Sequence, residues 1–119
     1  MATSTIKFQN HIAGTDNMTI PSEVFSSSPA KMLHRSQNIV KLYIDGNLSS
    51  TLAGNDGVIC TLPTGFRPSS QRYVMIYGKY GTGDYKACRG LIKADGTVNT
   101  AHGSSTFSGS IGIDTTFFI

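Results

Sequence analysis

The run N-I-V-K-L-Y-I-D-G, residues 38 to 46, alternates strictly: Val40, Leu42 and Ile44 fall on one side, Lys41, Tyr43 and Asp45 on the other. A period of two places one set of side chains in a core and the other in water, which is the pattern of a half-buried strand. The D-G-N that follows reads as the turn ending it.

Outward from this run the same logic recurs. In G-V-I-C-T-L-P, residues 57 to 63, Val58, Cys60 and Leu62 share a side. R-Y-V-M-I-Y-G, residues 72 to 78, is apolar on both sides, with Val74 and Ile76 opposite Tyr73, Met75 and Tyr77. That predicts a central strand or one covered by another subunit. Ala94-Asp95-Gly96 lies between two such runs and marks a hairpin. The final S-I-G-I-D-T-T-F-F-I puts Ile111, Ile113, Thr115, Phe117 and Ile119 on one face, and so apolar an end is expected to dock in the sheet. Toward the N-terminus the pattern weakens. S-T-I-K-F-Q-N, residues 4 to 10, can form one strand, and S-S-S-P-A, residues 26 to 30, reads as a loop.

Six or seven short strands at this spacing, with no convincing helical period, predict an all-β, antiparallel β-sandwich, a jelly-roll-like head domain with little or no helix. The expected organisation is one domain, with residues 1–38 as an arm and 39–119 as the body. At 119 residues a single core is feasible without metal or disulfide help. Charged residues make up only 14% of the chain, and Ser, Thr, Asn and Gly fill the deficit, which favours strands and turns over helices.

The formal net charge is +3, but the ten Lys and Arg are scattered singly, so no basic cluster tracks a phosphate backbone and nucleic acid is not an expected partner. No stretch of 18 apolar residues and no signal-peptide pattern occurs, so the chain is expected to be made in a cytoplasm without membrane insertion. Cys60 and Cys88 have no C-x-x-C neighbour and no histidine at zinc-ligand spacing. Two free buried thiols is the reading and a bridge the alternative; no cofactor is expected. His11, His34 and His102 stand isolated and read as loop or surface histidines.

The segment L-P-T-G-F-R-P, residues 62 to 68, sets an aromatic and an arginine between two prolines. Pro63 suits the second position of a type I turn and Gly65 the fourth. Pro68 biases Arg67 toward extended backbone, so Phe66 is held in one direction, as a plug over one end of the core. This corner, followed by R-Y-V-M-I-Y, by G-L-I-K-A-D-G-T-V and by an apolar terminal strand, resembles the C-terminal receptor-binding head domains of bacteriophage tail fibres and baseplate appendages. The resemblance spans roughly residues 57 to 119. It implies a non-catalytic head, usually a homotrimer at the virion tail tip, that binds a host cell-surface saccharide or wall polymer alongside other virion tail proteins. The chain departs from that pattern in having no long shaft sequence before the head.

Recognition chemistry concentrates in Y-G-K-Y-G-T-G-D-Y-K, residues 77 to 86. Tyrosine faces can stack on a sugar ring and an aspartate can accept from vicinal hydroxyls, which makes Tyr80, Asp84 and Tyr85 the candidates. Lys79 and Lys86 are available for an anionic substituent. No helix follows Gly78, Gly81 and Gly83, so they do not form a nucleotide loop. The seven acids show no spacing that argues for glycosidase work, and no Ser or Cys has an evident base; an enzyme is not expected. The rival reading is a non-catalytic structural component of a virion, such as a decoration, collar or baseplate protein.

Overall fold

The computed structural model describes residues 11–119, so the strand expected at residues 4 to 10 lies outside the described residues. Seven strands run in chain order: β1 (His11–Ala13), β2 (Ala30–Ser36), β3 (Ile39–Asn47), β4 (Leu52–Thr61), β5 (Arg72–Tyr80), β6 (Tyr85–Ile92) and β7 (Thr97–Phe118). A single 3-10 turn, Thr15–Asn17, is the one helical element among the described residues. The fold is all-β and antiparallel, as the alternation predicts. Its sandwich-like layering belongs to one continuous hydrogen-bonded sheet in the order β1-β2-β3-β7-β5-β6, with β4 joined to β7.

The 22 residues of β7 explain this continuity. Its second half pairs with β3, from Ile39↔Phe118 to Asn47↔Ser110, and with β5 through Ile76↔Ile113. Its first half pairs with β4 and, through Gly90↔Thr100, with β6. The residues around His102 therefore lie in a strand and not in the expected loop: Thr100 and Ala101 just before it pair with Gly90 and Asn55, and Thr106 beyond it pairs with Ala53. Gly109, with φ +73°, supplies the irregularity between the halves.

Val40, Leu42 and Ile44 are completely buried, facing a core that includes Ile76, Ile92, Phe107, Ile111 and Ile113. Burying each such side chain stabilises the fold by about 1.5–3 kcal/mol. The expected D-G-N turn after Ile44 does not form: Asp45, Gly46 and Asn47 continue the ladder, because β7 offers Gly112, Ile111 and Ser110 opposite them. Phe117 is buried and the Ile119 amide donates to the Asn38 carbonyl at 2.9 Å, so the terminus is docked as expected.

The arm integrates with the body. β2 pairs with β3 over seven residues, so the expected boundary after residue 38 runs through a hairpin whose tip is Gln37-Asn38. Phe25 lies in the core cluster, packed against Gly46.

The proline corner forms one residue later than its sequence suggests. The Phe66 amide donates to the Pro63 carbonyl at 3.1 Å, and Gly65 adopts φ +97°. That φ belongs at the third position of a turn, so the turn is Pro63–Phe66 rather than Leu62–Gly65. Phe66 is 5% exposed and packs on Gly14, just beyond β1, where Leu33 of β2 also lies, so it plugs that end of the core. Arg67 Nε donates to the Leu62 carbonyl at 2.9 Å, and Arg35 donates to the Gly65 carbonyl at 2.7 Å. The expected hairpin forms too: the Gly96 amide donates to the Lys93 carbonyl at 2.9 Å, with Gly96 at φ +93°.

In β4 the expected side sharing breaks down. Cys60 and Leu62 are buried, but so is Ile59, and Val58 is exposed. Register shifts on both sides of Val58 turn successive side chains out of alternation. Thr100, fully buried, stitches this irregular strand: its hydroxyl accepts from the Gly57 amide at 2.8 Å and donates to the Ala53 carbonyl at 2.6 Å.

Both thiols are free and buried. Burial pushes the Cys60 thiol up to about 12, and raises that of Cys88, with Lys86 pulling the latter back. Native protein at pH 8 should leave Cys60 unmodified by iodoacetamide, whereas urea-unfolded protein is alkylated there; mass spectrometry checks this. Because the folded value is raised, the Cys60 contribution to stability is complete below pH 9.0 and is lost as pH rises toward about 12. Thr100→Val should lower stability by about 1–3 kcal/mol, read as a lower urea midpoint at unchanged slope, since it strands the buried Gly57 amide and removes the donor to the Ala53 carbonyl.

Candidate ligand-binding face

β5 lies between β6 and β7, which makes it the central strand its two-sided pattern predicts, but its second face is bare. Tyr73, Met75 and Tyr77 are 60%, 67% and 58% exposed. Arg89 Cζ lies 4.9 Å from the Tyr73 ring centroid, and Tyr77 is stacked on Tyr85 with centroids 6.0 Å apart and planes 15° apart. The result is an aromatic surface held on a rigid sheet.

The expected loop is mostly strand. β5 runs to Tyr80 and β6 begins at Tyr85, so the hairpin tip is only Gly81-Thr82-Gly83-Asp84. The ladder extends this far because Gly78 leaves room for Phe107 beneath it and Lys79 pairs with Tyr85. Asp84 is exposed at the tip. Lys79 and Tyr85 are thus brought together across the strands.

Tyr80 is half-buried and turned inward. Its ring meets Phe107 and His102 edge-on, at 5.3 and 4.7 Å between centroids, and its hydroxyl accepts from the Ser105 amide at 2.8 Å. Lys86 Nζ sits 5.5 Å from the same ring. Tyr80 therefore supports the hairpin from behind, and its face is taken by neighbours. The Tyr85 hydroxyl accepts from the Ser110 amide at 3.1 Å. Hydrogen bonds from the Ser110 side chain and backbone hold its phenol below the ordinary tyrosine value, with a smaller contribution from Lys79.

Beside Tyr77 the sheet dips into a trough of about 350 Å³, walled by Tyr43, Tyr77 and Met75 and rimmed by Asp45, Asp114 and Ser110. Sequence reasoning missed it because it is assembled from β3, β5 and β7. The available signal was aromatic: Tyr43 and Tyr77 occupy solvent-side positions of alternating strands, where a polar residue would serve solubility better. Asp114 accepts from Lys41 Nζ at 2.5 Å, and the Tyr43 hydroxyl lies 3.5 Å from Asp45 Oδ2.

Two of the histidines, isolated in sequence, meet in space. His34 Nδ1 and His11 Nε2 are 2.9 Å apart, since antiparallel β1 and β2 set them diagonally on one face. The His102 ring accepts from the Arg89 amide through Nδ1 at 3.2 Å. Among the described residues no group of three or more His, Cys, Asp or Glu is arranged to hold a metal ion. No helix among them is long and apolar enough to cross a membrane. No protein-family model matches the chain, and no curated protein is significantly similar to it.

Proposed function

We propose that the chain is a receptor-binding head of the phage tail type, which attaches a virion tail tip to saccharide or wall polymer on a host cell and catalyses no reaction. The observation that carries the reading is the bare row Tyr73, Met75 and Tyr77 on a central strand. A soluble sheet rarely leaves so much aromatic and thioether surface in water without a partner. Flat tyrosine faces suit the C–H faces of pyranose rings. Tyr85 and Asp84, with Lys79 across from Tyr85, supply stacking, an acceptor and countercharge for an anionic substituent at one end of that row, while Lys86 lies over the Tyr80 ring on the other side of the hairpin. Tyr80 acts as their support. A homotrimer would set three such surfaces side by side, raising weak single-site affinity through effective concentration.

The second reading, a virion structural protein, is favoured by a different observation. Ile39 and Phe118, cross-strand partners near the terminus, are both exposed and make a small apolar patch suited to another protein surface.

Purified protein incubated with bacterial cells separates the two. Adhesion that is abolished by periodate oxidation of the cell surface, from a species of trimeric mass in solution, is the expected result. A structural component binds no cells at any concentration. The double variant Asp84→Ala/Tyr85→Ala should weaken adhesion at least tenfold with its urea midpoint little changed.

A further inference from the structure

Cross-strand register lines up Asp45, Gly112, Tyr77 and Ala87 in one row across β3, β7, β5 and β6. Two of the four are small, so the outer face sinks between Tyr43 and Tyr77. Packing does not demand the glycine: a Cβ built on Gly112 has Asp45 Oδ1 as its nearest neighbour, at 3.6 Å, which is ordinary contact. Its φ lies outside the left-handed region, so no turn requires it either. What the glycine does is keep the floor of the trough open.

The lining has a consistent electrical character. Tyr43 and Tyr77 contribute aromatic rings, the latter stacked on Tyr85, Met75 a polarizable sulfur, Asp45 and Asp114 carboxylates and Ser110 a hydroxyl. No lysine, arginine or histidine lines the trough, in a chain of formal charge +3. Asp114 is matched by Lys41, but among the described residues Asp45 is met only by the Tyr43 hydroxyl. An aromatic wall with a carboxylate at its rim attracts a cation, through the ring quadrupole and through a charge-assisted hydrogen bond. A volume of about 350 Å³ is at the small end of ligand sites, suited to one or two sugar rings.

We infer that the trough is a subsite for an amino sugar with a free, protonated amino group, its nitrogen toward Asp45 and its ring against the tyrosines. The inference rests on the saccharide-binding reading but not on the hairpin residues 79 to 86.

The test titrates a β-1,4-linked glucosamine trisaccharide, and separately its N-acetylated counterpart, into the full chain by calorimetry and by amide NMR. The free amine should bind at least tenfold more tightly, with the largest NMR shifts at Tyr77, Gly112 and Asp45. Asp45→Asn, which preserves shape, should weaken the free amine at least fivefold and leave the acetylated sugar unchanged. Gly112→Val should abolish binding by filling the floor, with a far-ultraviolet spectrum like that of the parent chain. Equal binding of the two sugars, binding unaffected by Asp45→Asn, or a change of oligomeric mass in Gly112→Val overturns the inference. Periodate-sensitive cell adhesion without amino-sugar binding overturns it too, while leaving the adhesion reading intact.

Discussion

Everything in this fold depends on one strand having enough backbone donors and acceptors for four neighbours. β7 gives its first half to β4 and β6 and its second half to β3 and β5. A sheet of two separate layers would have to exclude water between independent halves. Here the layers share a strand, so loss of pairing in one half withdraws support from the other. The core side chains Ile111 and Ile113 and the trough residues Gly112 and Asp114 alternate along the same few residues of β7. Stability and surface chemistry are thus written into one segment on opposite sides of its pleat.

The strict alternation of Val40, Leu42 and Ile44 made the buried face of β3 legible, as did the Asp95-Gly96 pair for its hairpin and the apolar terminal face for β7. What failed was local punctuation. Asp45-Gly46-Asn47 has turn chemistry yet is paired throughout, and Ala101-His102-Gly103 has loop chemistry yet stays within β7, with Ala101 paired to Asn55, because a neighbouring ladder outweighs weak local preference. β4 misled for the opposite reason. Its bulges around Val58 break the expected period, and the group that stabilises them, Thr100, is 43 residues from its partner Gly57 in sequence.

The outer face of β5 and its neighbours was only half legible. The excess of apolar residues at Tyr73, Met75 and Tyr77 is visible in the sequence, and so is the tyrosine-rich segment beside it. That Tyr80 turns inward while Tyr85 lies on the outer face follows from pairing parity in a hairpin whose tip turned out to be four residues. The trough needed register between three strands, which no single segment encodes. Tyr43 and Tyr77, Asp45 and Asp114 are distant in sequence and adjacent only once β7 lies between β3 and β5.

The docking of the last residue has a geometric corollary. Ile119 bonds to Asn38 at the tip of the β2–β3 hairpin, and His11 pairs with Ser36 beside it, so both ends of the described chain emerge at the same pole. Arg72 of β5 borders the same region, next to Phe117 and Phe118, and the nine residues of β5 carry the Gly81–Asp84 tip about 30 Å away. Polypeptide joined after Ile119 would therefore leave from this pole, at the opposite end of β5 from the Gly81–Asp84 tip.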